Sequence, residues 1–298
     1  MILGHQKIWQ FLTQSANLNK LAHAYLFSGQ EKLGKRTLAI EFVNWLFKED
    51  IQKREHPDFI LIEPIKKEIQ IFQIRELNWR LSLQPFIAPL KIAIINQAHC
   101  LNSEAQNCFL KTLEEPKDKT LLILISEYPQ ILFPTILSRV QKIKFYPVKK
   151  TELEQYLKQK GGIKEKEKRE EILNFSLSRP GRVIDFLSNH QKIETQKKMI
   201  SDLIKLLNSD LSFRFQYVKN LFPKESEKKD VFNQLKEILD VWLLYFRNIL
   251  INTENFQPLR YSLNKLVNTL KIIQNTNFLL STTNVNPRLA LEILMLEL

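Results

Sequence analysis

Cysteine is nearly missing from this 298-residue chain, which has only Cys100 and Cys108. Two thiols make neither a four-ligand zinc set nor a disulfide framework, and their scarcity points to a reducing cytoplasm. Glycine is scarce too, at six residues. No apolar run approaches the roughly 20 residues of a membrane span, and the opening MILGHQKIWQ lacks the pattern of a signal peptide. No membrane partner is expected. Internal repeats and low-complexity tracts are also lacking. Negative charge is in deficit: 32 Asp and Glu against 44 Lys and Arg leave a net charge of +12. That surplus suits contact with nucleic acid or another polyanion. An AT-rich genome, which favours Lys, Asn, Ile and Phe codons, would also produce it, and charge alone leaves the two open. With 44% hydrophobic residues, the chain is long enough for two or three domains with their own cores.

A more telling absence lies in KIAIINQAHCLNSEAQNCFLKTLEEP, residues 91–116. Ile92 to Ile95 is a short β-branched run of the kind buried on both faces of a sheet. Ser103, with Gln106 three residues on, predicts a capping box at the start of a helix. Between strand and helix stand Asn96 and Gln97. A P-loop ATPase carries acids at this point, one to hold Mg²⁺ and one to activate the attacking water. An amide has the shape of a carboxylate but binds Mg²⁺ weakly and accepts no proton. His99 and Cys100 follow, and neighbours in sequence seldom form a catalytic pair, because activation needs hydrogen-bond geometry across the fold. Local packing is the expectation for both.

Upstream, Ile8, Phe11 and Leu12 share one face of a first helix, and Ala24 to Phe27 reads as a strand running into Gly29. From Gly29 the chain reads GQEKLGKRT, then a helical pattern through Leu38, Phe42 and Trp45. Strand, glycine loop and helix in this order are the context of a phosphate-binding loop. Gly29 and Gly34 allow backbone N–H groups to approach phosphate, and Lys35 reaches the terminal phosphates. The position after the lysine, normally Ser or Thr for Mg²⁺, is Arg36, with Thr37 one place late. Further strands are expected at Phe59 to Ile62, at 121–126 and near Val140 to Phe145, with a helix through Ile71, Ile74, Leu77 and Leu81. Ser126 ends its strand where a polar sensor of phosphate would stand; an ordinary strand-ending serine is the simpler account. Strands alternating with helices imply an α/β domain with a parallel sheet covered on both faces.

LAHAYLFSG (21–29), QIREL (73–77), NCFLKTLEEP (107–116) and PTILSR (134–139), in this order over the first 140 residues, closely resemble bacterial clamp-loader AAA+ subunits of DNA polymerase III. Loss of the acid pair with retention of the arginine in ILSR resembles the delta-prime branch. The resemblance implies that Arg139 projects into a neighbouring subunit's ATP site, where a planar, permanently charged guanidinium suits the transferring phosphoryl group. Two departures are plain. The four-cysteine zinc module expected after the loop helix is absent, so no metal is predicted, and Val140 replaces the cysteine after the arginine.

Past Pro147 the pattern turns helical, with a charged run from Lys164 to Glu171 that reads as a solvated face. SLSRPGRVIDFL (176–187) resembles the lid element carrying a second nucleotide-sensing arginine, which falls on Arg182; an exposed arginine at a helix start reads almost as well. Leu235, Ile238, Leu239, Trp242 and Phe246 form an apolar stripe that serves either a subunit interface or an internal core. Asn286 and Pro287 open a last helix, and NVNPRLALE (284–292) resembles the family's collar.

The resemblance therefore implies three parts: an AAA+ α/β domain over 1–146, a helical lid over 147–204 and a helical collar over 205–298. Its function would be that of a non-hydrolysing clamp-loader subunit, with motor and delta subunits as partners in a hetero-pentamer, and with the sliding clamp and primer-template DNA. No cofactor is required. Lys35 still allows ATP to be held unhydrolysed. Two rivals stand: an active motor-type ATPase, for which Gly29, Gly34 and Lys35 speak and against which Arg36, Asn96 and Gln97 speak, and a stand-alone basic nucleic-acid-binding protein, suggested by charge alone.

Overall fold

The apolar runs of the first half assemble into five parallel strands, side by side in the order Phe59–Ile62, Lys91–Ile95, Thr120–Ser126, Ala24–Ser28 and Gln141–Lys144. A computed structural model describes residues 3–51, 56–65, 67–116, 119–159, 163, 165–189, 191–222, 228–251, 262–283 and 285–298. Two compact units result, Met1–Ile184 and Asp185–Leu298. The first runs α1 (Gln6–Asn17), β1 (Ala24–Ser28), α2 (Lys35–Phe47), β2 (Phe59–Ile62), α3 (Ile71–Ser82), β3 (Lys91–Ile95), α4 (Ser103–Glu114), β4 (Thr120–Ser126), α5 (Pro134–Leu137), β5 (Gln141–Lys144), α6 (Lys150–Gln159), α7 (Lys166–Ser176) and the start of α8 (Pro180–Ser188). Lys164, where the expected charged run begins, lies outside the described residues.

Alternation along each strand builds two cores, one per face. Leu26, Ala93, Ile95, Leu122 and Leu124 pack toward Ile74 and Leu77 of α3 and Phe109 of α4. Tyr25, Phe27, Ile92, Ile94 and Ile123 pack on the other face toward Leu38 and Phe42 of α2. All five residues of β3 are buried, as a strand covered on both faces requires. The outermost strand β5 differs from the apolar expectation: Gln141, Lys142 and Lys144 are exposed. Charged side chains on an edge discourage pairing with another sheet.

The expected capping box at Ser103 is corrected by one residue. Asn102 is the cap, its Oδ1 accepting from Ala105 N at 2.8 Å. Gln106 is instead buried, donating through Nε2 to Leu101 O at 3.1 Å and accepting at Oε1 from Phe133 N at 2.8 Å. Asn and Ser cap about equally well, so the sequence gives little basis for choosing between neighbours.

The second unit contains α9 (Gln191–Leu207), α10 (Leu211–Leu221), α11 (Lys228–Ile251), α12 (Leu263–Thr282) and α13 (Pro287–Glu297). The stripe Leu235, Ile238, Leu239, Trp242 and Phe246 is buried within this unit, against Leu203, Leu291 and Leu294 among others. It is the unit's own core. Asn286 caps α13 by accepting from Arg288 N at 3.0 Å, with Pro287 at the first position. Asn284 lies outside the described residues. On α13, Leu289, Ile293 and Leu296 remain exposed. Among the described residues no helix is long and apolar enough to cross a membrane.

Candidate functional site

Because every pairing in the sheet is parallel, the residues that follow β1, β2, β3 and β4 emerge on one edge: Gly29, Glu63, Asn96 and Glu127. In open α/β sheets ligands bind at this carboxyl edge. The loop after β1 fixes the site. Gly29 sits at φ 143°, and a Cβ there would fall 2.6 Å from Phe145 O, so only glycine fits. Gly34 caps α2 at φ 88°, the left-handed region. Lys35 is buried, and its Nζ donates to Gly29 O at 2.6 Å and also to Gln30 O. The loop is braced from outside as well. His5 Nε2 meets Leu33 O at 2.9 Å. Gly181 N donates to Lys32 O at 2.8 Å, and a Cβ on Gly181 would lie 2.9 Å from that oxygen. Arg182, the next residue of α8, is buried rather than exposed. Thr37 is exposed, one turn position past the loop.

The amide pair behaves in a way its sequence position does not reveal. Asn96 Nδ2 donates to Glu63 Oε1 at 2.9 Å, and Arg36 Nη2 pairs with the same oxygen at 3.2 Å. Gln97 is exposed at φ 53°. Glu63 is the residue that sequence reasoning missed. The one signal available was its place directly after a strand of a parallel sheet. A second carboxylate, Glu127, accepts from Glu31 N at 3.4 Å, placing negative charge at the loop's amides. Ser126, read from sequence as a strand-ending serine, and His99, read as a packing residue, meet at 3.3 Å between Oγ and Nδ1, and His99 stands edge-on to Tyr128 at 5.4 Å. Burial pushes the His5 imidazole below its ordinary value, and the hydrogen bond to Leu33 opposes this only in part.

Arg139 stands apart from the loop. It follows α5, pairs through Nη2 with Glu114 Oε1 at 3.0 Å, and donates through Nη1 to Thr135 O at 3.0 Å. Its side chain is 36% exposed. The guanidinium is therefore held on the surface of its own chain, by the first acid of the LEEP segment, with none of these contacts to the loop.

Strand order, glycine loop and strand-end polar residues define a nucleotide-binding-type α/β domain of the AAA+ class. A gamma subunit-related protein of DNA polymerase III from Thermotoga maritima shares the fold, with a TM-score of 0.52 and 19% identity over 96% of this chain and 97% of that one. A RuvB variant from the same organism has a TM-score of 0.50 and 16% identity, covering 96% and 87%. The family model described as "DNA polymerase III, delta subunit" matches residues 4–149. The delta-prime subunit of Bacillus subtilis is 32% identical over 165 residues, which is 51% of this chain and 50% of that one. The delta-prime subunit of Pseudomonas aeruginosa is 32% identical over 151 residues, or 45% of each. The chain thus spans about half the length of these relatives. Over its first half it is similar to the delta-prime subunits of bacterial clamp loaders.

Proposed function

We propose that this chain is a non-hydrolysing subunit of the DNA polymerase III clamp loader that completes a neighbouring motor subunit's ATP site with Arg139. The carrying observation is at the end of β3, where Asn96 is engaged with Glu63 and no carboxylate of the chain's own acid pair is present to hold metal or take a proton. Exposure of Arg139 on the rim formed by α4 and α5 supports a role outside its own loop. In this reading α6 to α8 form the lid, the helices from about residue 205 form the collar, and motor and delta subunits complete a hetero-pentamer that opens the sliding clamp for primed DNA. The exposed apolar stripe Leu289, Ile293 and Leu296 supports a collar contact. No cofactor and no zinc are needed for this role. The intact Gly29, Gly34 and Lys35 favour one second reading, a motor-type ATPase.

The test is ATP turnover. The free chain gives none above background, whereas a motor-type subunit turns over at about 1 to 10³ per second. In the reconstituted complex, Arg139→Ala assembles normally and lowers clamp- and DNA-stimulated turnover. Arginine fingers contribute about 10³ to 10⁵ at one site, and a complex with several motors loses only the share at this interface. Arg139→Lys restores little, since a point charge cannot reproduce the fork. Unchanged turnover and unchanged clamp loading return Arg139 to an ordinary surface residue.

A further inference from the structure

A phosphate loop of this type implies a magnesium ion held between a hydroxyl after the loop lysine and a carboxylate at the end of the third strand. The residues present do not fit that ion. Arg36 stands at the first position, and a guanidinium has donors only and no lone pair for a metal. Asn96 stands at the second, and its amide nitrogen is turned to Glu63 at 2.9 Å. The two positions are nevertheless joined, because Arg36 Nη2 reaches the same carboxylate oxygen at 3.2 Å. One cation, one carboxylate and one amide thus link the start of α2 to the ends of β2 and β3, as a metal would link them.

We propose that the Arg36 guanidinium is the built-in cation of this site, held in the metal's place by Glu63, which Asn96 also engages, so that the site is indifferent to magnesium. This rests on reading residues 29–35 as a phosphate loop and deepens the non-hydrolysing reading. Several features carry it. Lys35 is already adjacent, so a dication arriving here meets two fixed positive charges. Glu63, a carboxylate in contact with both metal-ligand positions, has its Oε1 committed to Arg36 and Asn96. The ion pair is half exposed, at 50% and 45% of each side chain. A surface pair of this kind adds little stability on its own. Its consequence is for what the site accepts.

The experiment compares the free wild-type chain with Arg36→Thr/Asn96→Asp, which restores a hydroxyl and a carboxylate. ATP binding is measured by calorimetry and by the shift in melting temperature, in magnesium and in EDTA. The wild-type chain responds alike in both, whether ATP binds equally or in neither. The double variant gains at least about tenfold in ATP affinity with magnesium, equivalent to about 1.4 kcal/mol. Should the double variant fail to fold by circular dichroism, Arg36→Thr alone, which leaves the strand ends intact, carries the same comparison. Tenfold tighter ATP binding by wild type in magnesium overturns the proposal, and so does a folded variant that ignores magnesium. Turnover in the complex tests the non-hydrolysing role separately, so the two failures are distinguishable.

Discussion

Asp58 is fully buried and accepts three consecutive backbone amides, from Phe86 at 2.8 Å, Ile87 at 2.8 Å and Ala88 at 2.9 Å. Burial pushes its carboxyl up, but those amides and the nearby His56 more than offset this and hold it below its usual range. One carboxylate thereby fixes the loop between α3 and β3, which displays Phe86 at 82% exposure and, next to it in the chain, the exposed Ile87. A rigid apolar display of that kind is what protein partners cover. Asp58→Asn should cost about 1.5 to 3 kcal/mol, the range for hydrogen bonds to a charged group, read as a lower urea midpoint. Faster hydrogen exchange at the amides of Phe86, Ile87 and Ala88 should accompany it; unchanged protection would mean the loop is held by something else. Nothing near Asp58 in the sequence announces this role, because its partners lie some thirty positions away.

At the scale of elements, α4 links the two ends of the proposed mechanism. Its buried Gln106 ties Leu101, just beyond the amide pair, to Phe133, at the start of the short helix that leads to Arg139. The sequence showed the helix and its apolar side, but local rules assigned this glutamine to a cap. On α11 the apolar stripe that reads equally as an interface or a core is internal, whereas Leu289, Ile293 and Leu296 on α13 are exposed. Changing Leu289, Ile293 and Leu296 together to Ser should leave the fold intact, since exposed substitutions stay within about 0.5 kcal/mol each. Co-elution with motor subunits in gel filtration should be lost. Retained co-elution would remove α13 from the interface.

For the whole molecule, His5 and Asp58, two groups with depressed values, act in the same direction on the first unit. His5 has its folded value lowered from 6.5 by burial, so the unfolded chain binds the proton more tightly. Stability is then full above about 6.5 and falls as pH drops from there toward the folded value. Asp58, lowered from 3.8, gives a second loss at still more acidic pH. Urea midpoints of the chain should therefore decline on acidification below about 6.5. His5→Asn, which tolerates the left-handed backbone at φ 58°, should remove the first decline and keep the second. A first decline that persists in this variant would assign it to other groups. The sequence by itself determined the strands, the glycine loop and the loss of the acid pair, because period, β-branching and residue chemistry act over a few neighbouring positions. It also placed Arg139 on a surface segment through the resemblance. Only the tertiary structure decided that Glu63 joins Arg36 to Asn96, that Ser126 meets His99, and that Glu114 holds Arg139. Those contacts arise where parallel strands end side by side or helices pack, and residues brought together in that way carry no signature of one another along the chain.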